Sequence, residues 1–225
     1  KQSTNEDLTD RELAAVRRWR GELIGVAIDE MLHLALVSNL IAAIGERSHY
    51  RRFNFPISGG VFPADVAVSL APFDAQTLDH FIYLERPHTA AERDAARYAK
   101  GTYQRVTPAG RLMSFADDYA TVGELYLPIL ESFQRLVAAH GEAAILVGGA
   151  DTQLTPREVA LSGLTAVTTL ADAESAIHRI VAQGEGSSAH AEASHYGRFV
   201  AIRAEWQALL QARRRSRRAR YCRPH

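Results

Sequence analysis

Residues 26–37 read VAIDEMLHLALV, an apolar run interrupted by Asp29, Glu30 and His33. A carboxylate or an imidazole inside a core is costly unless something pairs it. The run belongs to a longer helical pattern. Thr9 and Glu12 have the spacing of a capping box, and no proline intervenes before Gly45, which predicts one helix over residues 10–44. Trp19, Leu23, Val26, Val37, Leu40 and Ile44 recur at alternating steps of four and three, the spacing of a seam that faces other helices. Glu30 and His33 fill the two missing places in it, so the pair is expected on the buried side of the helix.

Outward from this helix, residues 46–74 carry Pro56, Pro63, Pro72 and a Gly-Gly pair, and read as an ordered but irregular crossover. Asp74 caps a short helix, DAQTLDHFIYLER, which Pro87 ends. Residues 88–118 are charged and polar and read as the most mobile stretch. Thr121 and Glu124 open another helix that runs to about His140, with Leu125, Ile129, Phe133, Leu136 and Val137 as its buried side and Pro128 demanding a kink or a late start. AAILVGGADTQLT reads as a turn or short strand, and residues 155–170 show no period. Helical spacing returns over Asp172–Gln183 and again from Glu192 to Leu210, leaving a frayed, strongly basic tail, ARRRSRRARYCRPH. This divides the chain into a helical domain, residues 1–210, and a disordered end, residues 211–225.

The 225 residues are 47% hydrophobic and 23% charged, enough for one sizeable core. A formal net charge of zero argues against nucleic acid as the main partner. A terminal arginine run without interleaved aromatic residues reads as a solvated end. Cys222 is the single cysteine, which excludes an internal disulfide framework and a thiolate metal site and fits a reducing, cytoplasmic setting. No run of about 18 apolar residues suggests a membrane span, and KQSTNEDLTD cannot form a signal-peptide core. A start without Met suggests a fragment or a processed chain.

On a helix, residues three apart share a face, so Glu30 and His33 can aim an oxygen and a nitrogen at one point. Glu192 and His195 repeat the spacing. Two Glu-x-x-His motifs on facing helices, with a carboxylate from each of two more, are how ferritin-like bundles hold a pair of iron or manganese ions. The plain alternative for one copy is a surface pair or a buried ion pair. Glu124 and Glu131 lie two turns apart on one face, although a capping box explains Glu124 without chemistry. Glu185 shares a face with Glu192 only if the helix continues through both glycines. No nucleophile elbow, P-loop or dinucleotide glycine fingerprint is present.

DEMLHLALVSNLIAAIGE, FPISGGVFPADVAVSLAPFDAQTLDHFIYLERP, TVGELY, IVAQGEG and SHYGRF, in that order, resemble the ferritin-like domain of the iminophenyl-pyruvate dimer synthase group. That group is related to bacterial enzymes that couple two tryptophan-derived imines on the way to violacein and the indolocarbazoles. The resemblance implies an all-α ferritin-like bundle with a long irregular crossover and a pair of metal ions, iron or manganese. It places Glu30, His33, Glu124, Glu185 and His195 in the site, with Glu192 as a further candidate from spacing. Members of the group begin with a further helix bearing an inward Glu, so the resemblance also implies that the first bundle helix is missing here. A homodimer would cover the seam thus exposed. Two functions from different classes follow: a non-haem di-iron or di-manganese oxidoreductase acting on a small amino-acid-derived or aromatic molecule in secondary metabolism, or a non-catalytic metal-binding or scaffold module.

Overall fold

The computed structural model describes residues 8–49, 69–98, 121–186 and 192–221, and these are helical with no strand among them. Helix α1 spans Asp10–Ala43. Its capping box forms as expected, Thr9 N donating to Glu12 Oε2 at 2.8 Å while Glu12 N donates to Thr9 Oγ1 at 3.3 Å. Helix α2, Ala75–Leu84, starts where Asp74 Oδ1 accepts from Thr77 N at 3.0 Å. Helix α3, Val122–His140, begins at Thr121 and runs through Pro128, so no late start occurs; it ends at Gly141, whose φ of 85° suits a residue without Cβ. Two single turns follow, α4 (Glu142–Ile145) and α5 (Pro156–Val159), then α6 (Leu170–Gly184) and α7 (His195–Tyr221).

Helix α1, about 50 Å long at 1.5 Å per residue, passes from one core cluster into another. Its second half packs Leu32, Leu36 and Leu40 against Leu130 of α3 and Ala173, Ile177 and Ile180 of α6. Its first half packs Ala15, Trp19 and Val26 against Leu78 and Ile82 of α2 and Phe199 and Ile202 of α7. A fully buried Leu or Ile such as Leu36 or Ile177 contributes about 1.5–3 kcal/mol. Between the two clusters, the C-terminal ends of α2 and α6 and the first residue of α7 meet α1 near Glu30. This junction positions the site.

Several expectations are corrected. The buried face of α3 is centred on Leu130, with Val122, Tyr126 and Phe133 against the core, while Ile129 and Leu136 are exposed. The core lies on one side of α3 only, and the chosen stripe was rotated from it. AAILVGGADTQLT contains no strand: it forms α4 and a 3-10 turn, Ala150–Thr152. Gly148 N donates to Ala43 O at 2.9 Å, and a Cβ on Gly148 would overlap the Ala42 carbonyl. The stretch without period is pinned by buried amides. Asn39 Nδ2 donates to Leu154 O and Thr165 O, and Asn39 Oδ1 accepts from Leu154 N. Gln153 pairs both ways with the Val167 backbone.

Residues 88–98 are tied down rather than loose. Asp94 Oδ1 lies 2.8 Å from His80 Nδ1, Arg97 pairs with Asp74, Glu92 with Arg203, and the Tyr98 ring stacks on His80 at 4.0 Å. The remainder of the 88–118 expectation, and most of the 46–74 crossover, lie outside the described residues. Helix α7 continues past Leu210 to Tyr221, so residues 211–221 of the basic stretch are helical, and its last four residues lie outside the described residues. Helix α1 carries an 18-residue window of mean hydropathy 1.5, long and apolar enough by length and composition to cross a membrane; 44% of that window is buried in the fold. Run length missed it because isolated polar residues break a run, while the mean over the window stays high despite them.

Candidate metal centre

Glu30 Oε1 is the hub. It lies 3.1 Å from His33 Nδ1, one helical turn on, and 3.0 Å from His195 Nδ1 at the start of α7. Glu85, the C-cap residue of α2, brings Oε2 to 3.7 Å from the same His195 nitrogen. One donor atom from each of Glu30, Glu85 and His195 lies within 4.8 Å of the others, so the three could hold a metal ion. The imidazole rings of His33 and His195 are 5.5 Å apart. Both histidines are buried, Glu85 is half-buried, and Glu30 keeps 49% of its side chain in contact with solvent. The expectation that Glu30 is buried with the seam is therefore corrected. The carboxylate stands at the rim, where solvent reaches it, with the imidazoles behind it.

The electrostatics favour a cation at this point. Burial works against the charged form of His195, yet hydrogen bonding and charge from Glu30 and Glu85 outweigh it and raise its pKa to about 9. Burial likewise opposes ionisation of Glu30, but hydrogen bonds from His195 and His33 hold its pKa at about 2. Neither ring nitrogen of His195 makes a well-directed hydrogen bond, although both are buried. Imidazole and carboxylate donors gathered this closely fit a divalent iron, manganese or zinc ion.

A second layer fixes these groups. Asp29 Oδ2 lies 3.4 Å from His195 Nε2 and 3.1 Å from Arg198 Nη1. Arg198 also pairs with Glu22 at 2.7 Å and donates to the Glu22 carbonyl at 2.8 Å, lying over Gly25, where a Cβ would strike the guanidinium. His33 Nε2 faces Gln183 Oε1 of α6 at 3.0 Å.

Of the residues anticipated, Glu30, His33 and His195 come together, and Glu124, Glu185 and Glu192 are not among the donors gathered at Glu30. Glu192 sits exposed in the turn before α7, so it does not share a helical face with His195; α7 begins only at His195 because Ser194 and the turn before it end the irregular chain there. Glu185 is the C-cap of α6, and its buried carboxylate accepts from Gly123 N in the first turn of α3, where the helix dipole favours an anion. A Cβ on Gly123 would lie 2.8 Å from Glu185 Oε2. Glu124 is on the exposed side of that turn, its backbone N bonded to Thr121 Oγ1 at 3.3 Å, which is one of the two arms of the expected capping box. Glu85 was missed. Its one local signal is an acid at a helix C-terminus, where the dipole disfavours it, a conflict that often marks a functional position.

The helical bundle thus carries, where three helices meet, a group of donors that could hold a metal ion. Residues 2–204 match the ferritin-like family, and the chain belongs to it. Among curated proteins it is similar to dichlorochromopyrrolate synthase of Lentzea aerocolonigenes, 29% identical over 203 residues, covering 81% of this chain and 18% of that protein. It is also similar to the 2-imino-3-(indol-3-yl)propanoate dimerase of Chromobacterium violaceum, 27% identical over 196 residues, covering 80% of this chain and 16% of that protein. The chain thus spans less than a fifth of the length of these relatives. No solved structure matches.

Proposed function

We propose that this protein is a non-haem metal-dependent oxidoreductase of secondary metabolism, using two iron or manganese ions and acting on a small amino-acid-derived or aromatic molecule. The observation that carries the reading is the convergence of Glu30, Glu85 and His195 from three helices within 4.8 Å of one another, with His33 3.1 Å from Glu30. Glu30, Glu85, His195 and His33 would hold the metal, which supplies redox or Lewis-acid chemistry when bound. The chain's own groups do the rest. Glu30, half exposed, opens the site to substrate from solvent, while the buried histidines close its inner side. Asp29, held by Arg198, orients His195, and the proton at His195 Nδ1 must leave for a metal to enter. The relatives' names, a dichlorochromopyrrolate synthase and a 2-imino-3-(indol-3-yl)propanoate dimerase, support the substrate class. The lone Cys222 accords with a reducing cytoplasm.

A second reading is a non-catalytic metal-binding or scaffold module. It is favoured by the pairing of Glu30 with His33 and His195, through which the three groups satisfy one another without catalysis. Ile24, Ile28 and Met31, exposed along α1, support a homodimer that covers this face. Metal analysis of the purified protein separates the readings. The oxidoreductase reading expects bound iron or manganese and oxygen-dependent turnover of an amino-acid-derived substrate; metal without turnover favours the scaffold. Glu30→Ala with His33→Ala should abolish the stoichiometric metal and leave helix content unchanged, and retained metal in that variant sinks the site assignment.

A further inference from the structure

A histidine ligates a metal well only when its other ring nitrogen is committed to a partner, because that partner chooses the tautomer and holds the ring. His195 has Asp29 behind it. Among the described residues no carboxylate stands in the same role for His33. Its Nε2 meets the side-chain oxygen of Gln183 at 3.0 Å, from the last turn of α6, 150 residues away in sequence. His33 is 6% exposed, so water does not replace this contact cheaply.

We propose that Gln183 is the positioning residue for His33: by accepting the Nε2–H at its Oε1 it leaves Nδ1 as the bare nitrogen turned toward Glu30 and His195. The proposal rests on the metal reading above. Its physical basis is a count of protons. A neutral imidazole carries one N–H. When a metal displaces the proton that Nδ1 otherwise shares with Glu30 Oε1, 3.1 Å away, the one remaining N–H sits on Nε2, where the Gln183 oxygen accepts it. With the amide turned the other way, its NH2 would donate to Nε2, Nδ1–H would donate to Glu30, and the two side chains would close on themselves with no need of metal. The orientation of one amide therefore separates a metal cradle from a self-satisfied polar pair.

The position of Gln183 makes this possible. Gly184 follows it, and a Cβ there would come within 3.1 Å of Glu85 Oε2, so the end of α6 brings the amide to His33 while leaving room for the Glu85 carboxylate beside it. One helix end thus serves two of the site's groups.

The test uses zinc as a diamagnetic probe and three proteins: the unaltered chain, Gln183→Met, which keeps length without a strong acceptor, and Gln183→Glu, which keeps the acceptor. Zinc affinity is measured by competition with a chelator. Long-range proton–nitrogen spectra of the zinc-loaded proteins, assigned by the signals lost in His33→Gln, report the His33 Nε2–H and its exchange with solvent. The expected result is a protected Nε2–H in the unaltered chain. In Gln183→Met that proton exchanges freely and zinc binds about 10–100-fold more weakly, with unchanged helix content, and Gln183→Glu recovers the protected signal. If the unaltered chain binds zinc while Gln183→Met matches it in affinity and in the Nε2–H signal, the role of Gln183 is overturned and the metal site stands. If the unaltered chain binds no zinc, the metal reading falls and the proposal with it.

Discussion

A metal that uses His195 Nδ1 must displace the proton there, and this makes metal uptake steeply dependent on pH. Raising an imidazole from 6.5 to about 9 corresponds to about 3 kcal/mol of preference for the protonated ring, at about 1.4 kcal/mol per unit. The shift fits its surroundings: the side chain is 1% exposed, with the Glu30 and Glu85 carboxylates on one nitrogen. Below pH 9 each unit of rising pH should therefore strengthen binding about tenfold, so that affinity at pH 8.5 exceeds that at pH 6.5 by about a hundredfold. Above pH 9 the dependence should level off. In the metal-free protein the signs oppose one another. The raised His195 contributes stability that is complete below 6.5 and lost as pH rises through 9; the lowered Glu30 contributes stability present above 4.5 and lost as pH falls toward 2. The metal-free fold should gain most from this pair between 4.5 and 6.5, and the metal should carry that optimum upward. Chelator competition at half-unit steps from pH 6 to 9.5, with unfolding curves of both forms, measures each effect. A flat affinity profile would refute the reasoning, because His195 could not then be the protonated partner of Glu30.

Two further predictions concern the fold around the site. Asp94→Ala should destabilise the protein by about 3 kcal/mol, since it strands the buried His80, and denaturant unfolding should show an unchanged slope with a lower midpoint. Asn39→Ala removes three hydrogen bonds to Leu154 and Thr165 from a residue with no exposure and should cost about 3 kcal/mol; a loss below about 1 kcal/mol would show that the segment 153–167 holds its place without it.

Why some of this could be read in advance follows from the range over which each signal acts. Capping at Thr9, Asp74 and Thr121 is local chemistry among residues three apart, and α1, α2 and α3 start where those residues say. The 3.6-residue period of Ile177 and Ile180 needs only that some core exists. The phase of α3 was another matter. Leu125, Ile129 and Leu136 are as apolar as Leu130, and which stripe turns inward depends on where α6 lies. The segment 153–167 had no period because Asn39 and Gln153 hold its backbone through side-chain amides, and these contacts leave no repeat in the chain.

The site divides along the same line. Glu30 and His33 stood out from the sequence alone as two polar groups one turn apart on an apolar seam; His33 is buried as that reading required, whereas Glu30 stands at the exposed rim. Glu192 shared the same spacing with His195 and failed, because the spacing carries meaning only on a continuous helix and α7 begins three residues later. Glu85, Asp29 behind His195, and Gln183 behind His33 were decided by tertiary structure alone. Each acts across a meeting of helix ends, and sequence patterns record which way a residue faces on its own helix but not which other helix end lies opposite.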